Sequence, residues 1–174
     1  MIEFSRYGQS DLPTVRKTVL DVYGEVYEGT DTFHATSRFA ERLTMHSANP
    51  TWEAVIGYEE GEPIGFTYAG ALSPRTRWWT VMTKPLPEDF TKETGTRTLA
   101  LYELMVRMKW RKTGQAKKLH DELLAGRQEE RVTLLVDPDH PKVKALYEEW
   151  DYQHIGHQQP FPDSPLYAVM LKQR

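Results

Sequence analysis

The sequence predicts an α/β (α+β) fold with about seven strands and about four helices in the order βααββ, βα, βα, ββ. Two short alternating apolar segments on either side of Glu60-Gly61 are typical of a β-hairpin. A continuous apolar run at residues 132–136 indicates a buried central strand, and apolar residues three or four positions apart indicate helices between the strands. The 174 residues contain no internal repeat or linker, so we expect a single domain over residues 1–174.

The first half of the chain is predicted to hold a strand, two helices and the hairpin. Residues 3–6 form the opening strand, and Ser10 is the expected N-cap of the first helix. The second helix has Thr36 or Ser37 as its cap and stops at Asn49-Pro50. The apolar faces of the two helices share a spacing of three or four: Val15, Val19, Val22, Tyr23 and Val26 in the first, Phe39, Ala40 and Leu43 in the second. The alternating hairpin residues are Trp52, Ala54, Ile56 and Tyr58, then Ile64, Phe66 and Tyr68.

Residues 73–96 are predicted to form a long irregular segment, because they contain three prolines and Gly95. The segment includes the pair Trp78-Trp79. Long loops are often functional, which makes this segment a candidate wall over a substrate. Alternatively, the two indoles cap the core, since large aromatic side chains are mostly buried.

The second half is predicted to continue with a strand at residues 98–107, a glycine-containing turn and a helix that ends at Gly126. After the buried strand at 132–136, His140-Pro141 opens the last helix with proline at its first position. Its apolar stripe is Val143, Leu146, Tyr147 and Trp150. Strands at residues 152–156 and 166–171 close the chain, joined by a proline-rich loop.

Composition excludes several classes of function. A net charge of -3 is unlike that of a nucleic-acid-binding protein. The absence of cysteine excludes a cysteine nucleophile and thiolate metal sites. No HExxH motif occurs, and His154 and His157 are three apart on a predicted strand, which would place them on opposite faces; we therefore expect no metal. No apolar run approaches a membrane span and the N-terminus lacks a signal-peptide core, so we expect a soluble cytoplasmic protein without a membrane partner.

The turn after the strand at 98–107 has the composition of a phosphate-binding loop. Arg111, Gly114 and Ala116 form the pattern R-x-x-G-x-A immediately before an amphipathic helix. Small residues allow a ligand to approach the backbone, and the first N–H groups of a helix have no partner within the helix. The turn is therefore predicted to bind an anion.

The segment V-R-M-K-W-R-K-T-G-Q-A at 106–116, followed by A-L-Y-E-E-W-D-Y at 145–152, resembles the GNAT superfamily of acyl-CoA-dependent N-acetyltransferases, in a bacterial-type subgroup of unknown substrate. Arg111, Gly114 and Ala116 meet the first signature of that family, and Leu146 with Tyr147 meets part of a second. The chain departs from the family pattern where His140 stands for a frequent asparagine, Met108 for a proline and Asp151 for a glycine. The resemblance implies a mixed, mostly antiparallel sheet splayed between strands 4 and 5.

The resemblance also implies acetyl-CoA as co-substrate, with coenzyme A bound along the fourth strand and the turn that follows. Leu104, Met105 and Val106 would pair through their backbone with the pantetheine arm. The pyrophosphate would be wrapped by the turn, assisted by the charges of Arg111, Lys112, Lys117 and Lys118. The expected cofactor-binding residues of the turn and late helix are Arg111, Lys112, Thr113, Gly114, Gln115, Ala116, Lys117 and His140.

Two side chains are candidates for the chemistry. Tyr147 matches the position of a tyrosine that protonates the coenzyme A thiolate in many family members; the alternative is that it belongs only to the apolar stripe. Glu103 is the candidate base, since carboxylates are depleted in strand interiors; the alternatives are a substrate anchor or a solvent-facing charge. A main-chain N–H near Met105 or Val106 would stabilise the oxyanion if the strand bulges there.

The leading hypothesis is direct transfer of an acetyl group from acetyl-CoA to a primary amine of a small molecule. Aromatic residues around the expected acceptor site favour it: Tyr23, Tyr27, Trp78 and Trp79. Three alternatives stay open: transfer to a protein amine, a non-catalytic acyl-CoA sensor, and an unrelated nucleotide-phosphate domain, which lacks its usual motifs. A homodimer through the final hairpin is a family-level expectation.

Overall fold

The computed structural model describes residues 1–174 and contains seven strands and five α-helices. The strands are β1 (Ile2–Gly8), β2 (Glu53–Glu59), β3 (Glu62–Ala71), β4 (Thr98–Val106), β5 (Arg131–Val136), β6 (Gln153–Gln158) and β7 (Tyr167–Gln173). The helices are α1 (Leu12–Tyr27), α2 (Thr36–Ser47), α3 (Glu88–Thr91), α4 (Gln115–Ala125) and α5 (Pro141–Glu149). Single turns of 3-10 helix cover Gln9–Asp11 and Met108–Trp110. No helix combines the length and the hydropathy needed to cross a bilayer.

The seven strands pair in the order β1-β2-β3-β4-β5-β7-β6. The one parallel pair is β4 with β5, whose ladder joins residues 98–100 to residues 131–133. This ladder has only three residue pairs, although each strand continues beyond it. The predicted mixed, mostly antiparallel sheet of seven strands is confirmed. The fifth helix, α3, is a single turn inside the segment that was predicted to be irregular.

The chain divides into two compact units. The first comprises Met1–Gly70 and Leu101–Gln128, and the second comprises Ala71–Ala100 and Glu129–Arg174. The first three residues of β4 belong to the second unit and the other six to the first. The single domain expected from the sequence stays a prediction.

The core of the first unit is built by α1 and α2 together with β2, β3 and the end of β4. Its buried side chains are Val15, Val19, Val22, Tyr23, Phe39, Leu43, Trp52, Ala54, Ile56, Phe66, Tyr68 and Met105. Removing a large apolar side chain of this kind from water contributes about 1.5–3 kcal/mol. Most of the apolar positions predicted for both helices and for the hairpin are therefore buried, while Val26, Ala40 and Tyr58 are half-buried.

The ends of the first two helices differ from prediction. Ser10 lies inside a 3-10 turn, and the N-cap of α1 is Asp11, whose Oδ2 accepts a hydrogen bond of 2.8 Å from the Gly8 N–H. In α2, Thr36 is the first helical residue and Ala35 is the N-cap. Residue types placed the start of each helix close to its true position. The backbone conformation of the preceding residues determined which residue is the N-cap.

The predicted β-hairpin is confirmed. Its two-residue turn has positive φ at both positions, 50° at Glu60 and 82° at Gly61. Both values match the type I′ turn, whose backbone twist suits the twist of the flanking strands.

In the second unit, β5, β7 and β6 pair antiparallel. The four-residue stripe predicted for the last helix is wrong for half of its members, because Val143 is 43% exposed and Leu146 is 38% exposed. The predicted separation of His154 and His157 is also wrong. A register irregularity between His154 and Gly156 brings the two rings to 4.7 Å.

Candidate active site

The turn that was predicted to bind an anion opens α4. Gly114 has φ of 82° and ψ of 4°, a left-handed conformation that glycine adopts without strain, and it is the N-cap of the helix. The first hydrogen bond within the helix runs from the Lys118 N–H to the Gly114 carbonyl, at 3.2 Å. The preceding N–H groups, together with the positive end of the helix dipole, make this end of α4 suited to a phosphate or diphosphate.

The cationic side chains of the turn are not equivalent. Arg111 and Lys112 are exposed, but the Arg111 Nε donates to the Val106 carbonyl at 3.1 Å, so this arginine also holds the end of β4. Lys117 forms a salt bridge of 2.6 Å with Asp121 one helical turn later. The Thr113 hydroxyl donates to the Trp110 carbonyl. The exposed charges available to an anion are therefore those of Arg111 and Lys112, before Gly114, and of Lys118, in the first turn of α4.

Gln115, the first residue of α4, has a buried side chain whose Oε1 accepts no hydrogen bond within the chain. A buried amide oxygen without a donor costs about 1–3 kcal/mol. Together with the N-terminal N–H groups of the helix, this acceptor fits a ligand that carries both an anion and hydrogen-bond donors. Coenzyme A has this combination, and the residues present therefore fit the expected co-substrate.

The end of β4 carries Leu104, Met105 and Val106, the residues expected along the pantetheine arm. Met105 and Val106 are buried and Leu104 is half-buried. The neighbouring strand β3 approaches this end very closely at Gly65, where a Cβ atom would lie 2.3 Å from the Met105 carbonyl oxygen and 2.9 Å from the Val106 Cα. Only glycine fits at this position, since no side-chain movement can relieve a clash with backbone atoms.

Arg107, immediately after β4, ties this strand end to two other elements. Its guanidinium hydrogen-bonds both carboxylate oxygens of Glu25 on α1 and also Glu62 Oε1, at 3.0 Å, and the Pro63 carbonyl, at 2.9 Å, on β3. The Arg107 N–H donates to the Ile64 carbonyl at 2.8 Å. These contacts hold the strand end that would present an N–H to the oxyanion.

Glu103 lies on β4 two residues before Met105 and is half-buried. Burial raises the pKa of its carboxyl to about 7, against the opposing effect of the positive charge of Arg42. A carboxyl that titrates near neutral pH is suited to take a proton from an amine and to release it afterwards. The interpretation of Glu103 as a solvent-facing charge at a sheet end does not agree with this burial.

Three polar rings lie near Glu103 in the first unit. The Tyr68 hydroxyl is 2.9 Å from Nδ1 of His46, whose ring stacks on Tyr102 with centroids 3.9 Å apart. Burial, and then the charge of Arg42, lower the pKa of His46 to about 3, whereas burial and the charge of Glu103 raise the pKa of Tyr68 well above its usual value. The hydrogen bond therefore joins a protonated Tyr68 hydroxyl and a neutral His46 ring.

Arg42 is nearly fully buried at the inner face of α2. Its Nη1 donates to the Phe33 carbonyl and its Nη2 to the Tyr23 hydroxyl, both at 2.8 Å. The guanidinium lies over the Phe33 ring, 4.1 Å from its centroid. The rings of Tyr23 and Phe39, which stack on each other, are also within about 6 Å of the guanidinium, so aromatic side chains line this cation. Nearby in the chain, Tyr27 stacks on His34.

Arg42, His46, Tyr68 and Tyr102 were not predicted from the sequence to be functional residues. A signal was present in α2, since Arg42 is three residues after Phe39 and therefore on the apolar face of the helix. A charged residue on such a face calls for an explanation.

The remaining predicted site residues belong to the second unit. Tyr147 is the one buried residue within α5, and its ring makes edge contacts with Trp150 and Tyr152 at centroid distances of 5.2 Å and 5.5 Å. His140 is the exposed N-cap of α5, and its side chain makes no capping hydrogen bond. The roles of both residues stay predictions.

The tryptophan pair also lies in the second unit. Trp79 is buried and its Nε1 donates to Glu93 Oε2 at 2.8 Å, while the carbonyl of the half-buried Trp78 accepts from the Gln158 amide at 3.2 Å. Glu93 Oε2 also accepts from Arg131 at 2.9 Å and from Thr98 at 2.9 Å. These contacts favour the core-capping interpretation for Trp79.

The chain contains no group of three or more His, Asp or Glu side chains placed to hold a metal ion.

Comparison with known proteins gives a consistent result. A sequence model described as the acetyltransferase (GNAT) family matches residues 16–152. An acetyltransferase from Thermus thermophilus has a TM-score of 0.65 and 14% identity, over 100% of this chain and 97% of its own. A GNAT-family acetyltransferase from Streptococcus agalactiae has a TM-score of 0.67 and 13% identity, over 99% and 95%. Aminoglycoside 6'-acetyltransferase type Ii has a TM-score of 0.64 and 20% identity, over 98% and 96%. These structures share the fold, and no curated protein matches the chain significantly in sequence.

Proposed function

Because the chain belongs to the acetyltransferase (GNAT) family, we propose that it transfers an acetyl group from acetyl-CoA directly to a primary amine. The observation that carries this proposal is Glu103. Its carboxyl has a pKa of about 7 and lies on β4, two residues before Met105, in the part of the strand where the thioester would be held. This is the property required of a base that serves an amine nucleophile.

In the proposed reaction, the neutral amine nitrogen forms a bond to the acetyl carbon and the carbon–sulfur bond breaks. Glu103 takes the proton that the amine loses, either directly or through water. A main-chain N–H at Met105 or Val106 stabilises the oxyanion, and Tyr147 gives its hydroxyl proton to the departing thiolate. The products are the acetylated amine and coenzyme A.

The proposed coenzyme A site uses main-chain groups more than side chains. Residues 104–106 pair with the pantetheine arm, and the N–H groups of residues 113–117 bind the diphosphate. The left-handed Gly114 and the amino end of α4 support this assignment. Arg111 and Lys112 add charge, while His140 is proposed to contact the cofactor from the start of α5.

We propose a small molecule as the acceptor. Arg42 acts on the carboxyl of Glu103, and Glu103 in turn raises the pKa of Tyr68. Both Arg42 and Tyr68 lie deep among aromatic side chains of the first unit. A compact amine reaches such groups more readily than the folded surface of a protein does. The cytoplasmic location and the homodimer expected from the sequence stay predictions.

The decisive test is thiol release from acetyl-CoA with a panel of primary amines. Glu103→Gln and Tyr147→Phe are each expected to reduce kcat by about 100-fold or more, in line with the usual contribution of general acids and bases. Glu3→Gln, an exposed strand carboxylate, and Tyr167→Phe, on β7, are the matched controls. Calorimetry with coenzyme A should give similar dissociation constants for all four variants.

Two results would contradict the proposal. Failure of the folded protein to bind coenzyme A at millimolar concentration would remove the acetyl donor. Tight binding of coenzyme A without amine-dependent thiol release would instead favour a non-catalytic acyl-CoA sensor.

A further inference from the structure

Arg42 has an unusual environment for a buried arginine. It is 5% exposed, yet its two hydrogen bonds go to uncharged acceptors, the Phe33 carbonyl and the Tyr23 hydroxyl. It forms no salt bridge. A guanidinium has five N–H donors, so the two hydrogen bonds leave three donors without a partner.

The other deeply buried arginine shows the usual arrangement. Arg131 is 1% exposed and forms a salt bridge of 2.9 Å with Glu93. An unpaired charge in a protein interior costs several kcal/mol, and a partner of opposite charge normally offsets this cost. The cation–π contact of Arg42 with Phe33, at 4.1 Å, offsets part of this cost but does not neutralise the charge.

None of the groups around Arg42 gives it a bonded negative partner. Tyr68 keeps its proton, and His46 is uncharged because its pKa is lowered to about 3. Glu103 is close enough for Arg42 to oppose the rise of its pKa, but it does not bond to the guanidinium. The arginine thus presents unused donors, and a positive charge without a bonded carboxylate, in the neighbourhood of the proposed base.

We propose that the acceptor is an amine that also carries a carboxylate, such as an amino acid, and that Arg42 binds this carboxylate while Glu103 receives the proton of the amine. The inference rests on the proposed acetyl transfer and adds the chemical class of its substrate. A planar guanidinium and a carboxylate form two parallel charge-assisted hydrogen bonds, which fix the orientation of the bound molecule. A polyamine, by contrast, would bring a second positive charge towards Arg42.

The test compares matched acceptors. Several α-amino acids with small, apolar and aromatic side chains are assayed beside their carboxamides, which keep the amine and side chain but lack the negative charge. The variants are Arg42→Met, which removes the charge, and Arg42→Lys, which retains it without the planar donors. Arg38→Met, on the more exposed surface of the same helix, is the control. Circular dichroism and thermal unfolding establish that each variant is folded.

For at least one amino acid, the kcat/KM of the wild-type protein is expected to be about 30-fold above the kcat/KM for the matching carboxamide. This factor corresponds to about 2 kcal/mol, the lower limit for the loss of one partner of a buried charge pair. Arg42→Met should abolish this preference, chiefly through KM, and Arg42→Lys should retain part of it. Arg38→Met should leave it intact. Comparing the ratio between two acceptors cancels any general loss of activity.

The inference is overturned if carboxamides are used as well as amino acids by the wild-type protein, or if Arg42→Met reduces activity equally for both. In that case Arg42 acts on the fold or on Glu103 alone, while the proposed acetyl transfer still stands. If Arg42→Met does not fold, the preference of the wild-type protein decides the question by itself. Calorimetry of the amino acids with wild-type protein gives an independent readout, and absence of binding there counts against the proposed carboxylate site.

Discussion

The Thr67 hydroxyl donates a hydrogen bond of 2.8 Å to the main-chain carbonyl of Glu103. Thr67 is fully buried on β3, so this bond fixes the backbone of the proposed base from the neighbouring strand. The carboxyl of the same residue has a pKa of about 7 because of burial. The hydrogen bond from Thr67 therefore fixes the backbone position of Glu103, whereas burial of its carboxyl sets its protonation.

The pH dependence of turnover should report Glu103. A base must be unprotonated in the free enzyme, so kcat/KM should rise as the pH increases through about 7. If the acceptor amine has a pKa above about 9, its own deprotonation gives a second rise of kcat/KM at higher pH, separate from the limb near 7. Glu103→Gln should lose the limb near 7 and Glu3→Gln should keep it. A limb near 7 that persists in Glu103→Gln would assign it to another group.

Stability should depend on pH through the same residue. The pKa of Glu103 is raised from 4.5 in the unfolded chain to about 7 in the folded protein, so between these values the native state holds a proton that the unfolded state has lost. The resulting stability is complete below pH 4.5 and is lost as the pH rises through about 7. Glu103→Gln cannot ionise. When urea unfolding is measured from about pH 4 to pH 8, the free energy of unfolding of Glu103→Gln should therefore rise by about 3 kcal/mol relative to that of the wild-type protein. Parallel curves for the two proteins would contradict this.

Gly65→Ala should impair the end of β4. The new methyl group would lie 2.3 Å from the Met105 carbonyl oxygen, so the two strands must separate. Displacement of a catalytic group by about 1 Å can cost about 100-fold in rate, and we expect a fall of about tenfold or more in kcat. Gly57→Ala is the control, because its Cβ would meet only side-chain atoms of Ile64 and Phe4, at 3.0–3.2 Å. Equal losses of kcat in both variants would indicate general overpacking.

The ion pair of Arg131 and Glu93 should stabilise the second unit strongly. Removing one partner of a buried pair costs about 3–5 kcal/mol, and Glu93 Oε2 also accepts hydrogen bonds from Trp79 and Thr98. We therefore expect Glu93→Gln to lower the free energy of unfolding by about 3 kcal/mol or more. Glu130→Gln, which removes the exposed partner of Arg97, should cost under about 1 kcal/mol. Similar denaturant midpoints for the two variants would mean that the buried pair contributes little.

Predictions from the sequence held where the pattern was local. The spacing of Val15, Val19 and Val22 placed a buried helix face, and Glu60-Gly61 placed a two-residue turn. The pattern failed for Val143 and Leu146, which are exposed, because helical spacing shows which residues share a face and not what covers that face. It also failed for His154 and His157, because an irregularity in strand register changes the alternation of side chains.

The candidate site also has one part that could be predicted from the sequence and one part that could not. Arg111, Gly114 and Ala116 were recognisable in the sequence, since a left-handed glycine before a helix depends on adjacent residues. The environment of Glu103 was not recognisable, because Arg42 on α2 acts on its carboxyl, and Tyr68 on β3 responds to it, across long separations in the chain.

The amino-acid sequence by itself determined the order of the strands and of the four longer helices, the candidate anion-binding turn and the family, because each depends on the periodicity and chemistry of neighbouring residues. Only the tertiary structure decided that a glutamate on β4 titrates near neutral pH and that a buried arginine of α2 has no carboxylate partner. Both properties arise from removal of water by distant segments, and burial of this kind is not encoded in any short stretch of the chain.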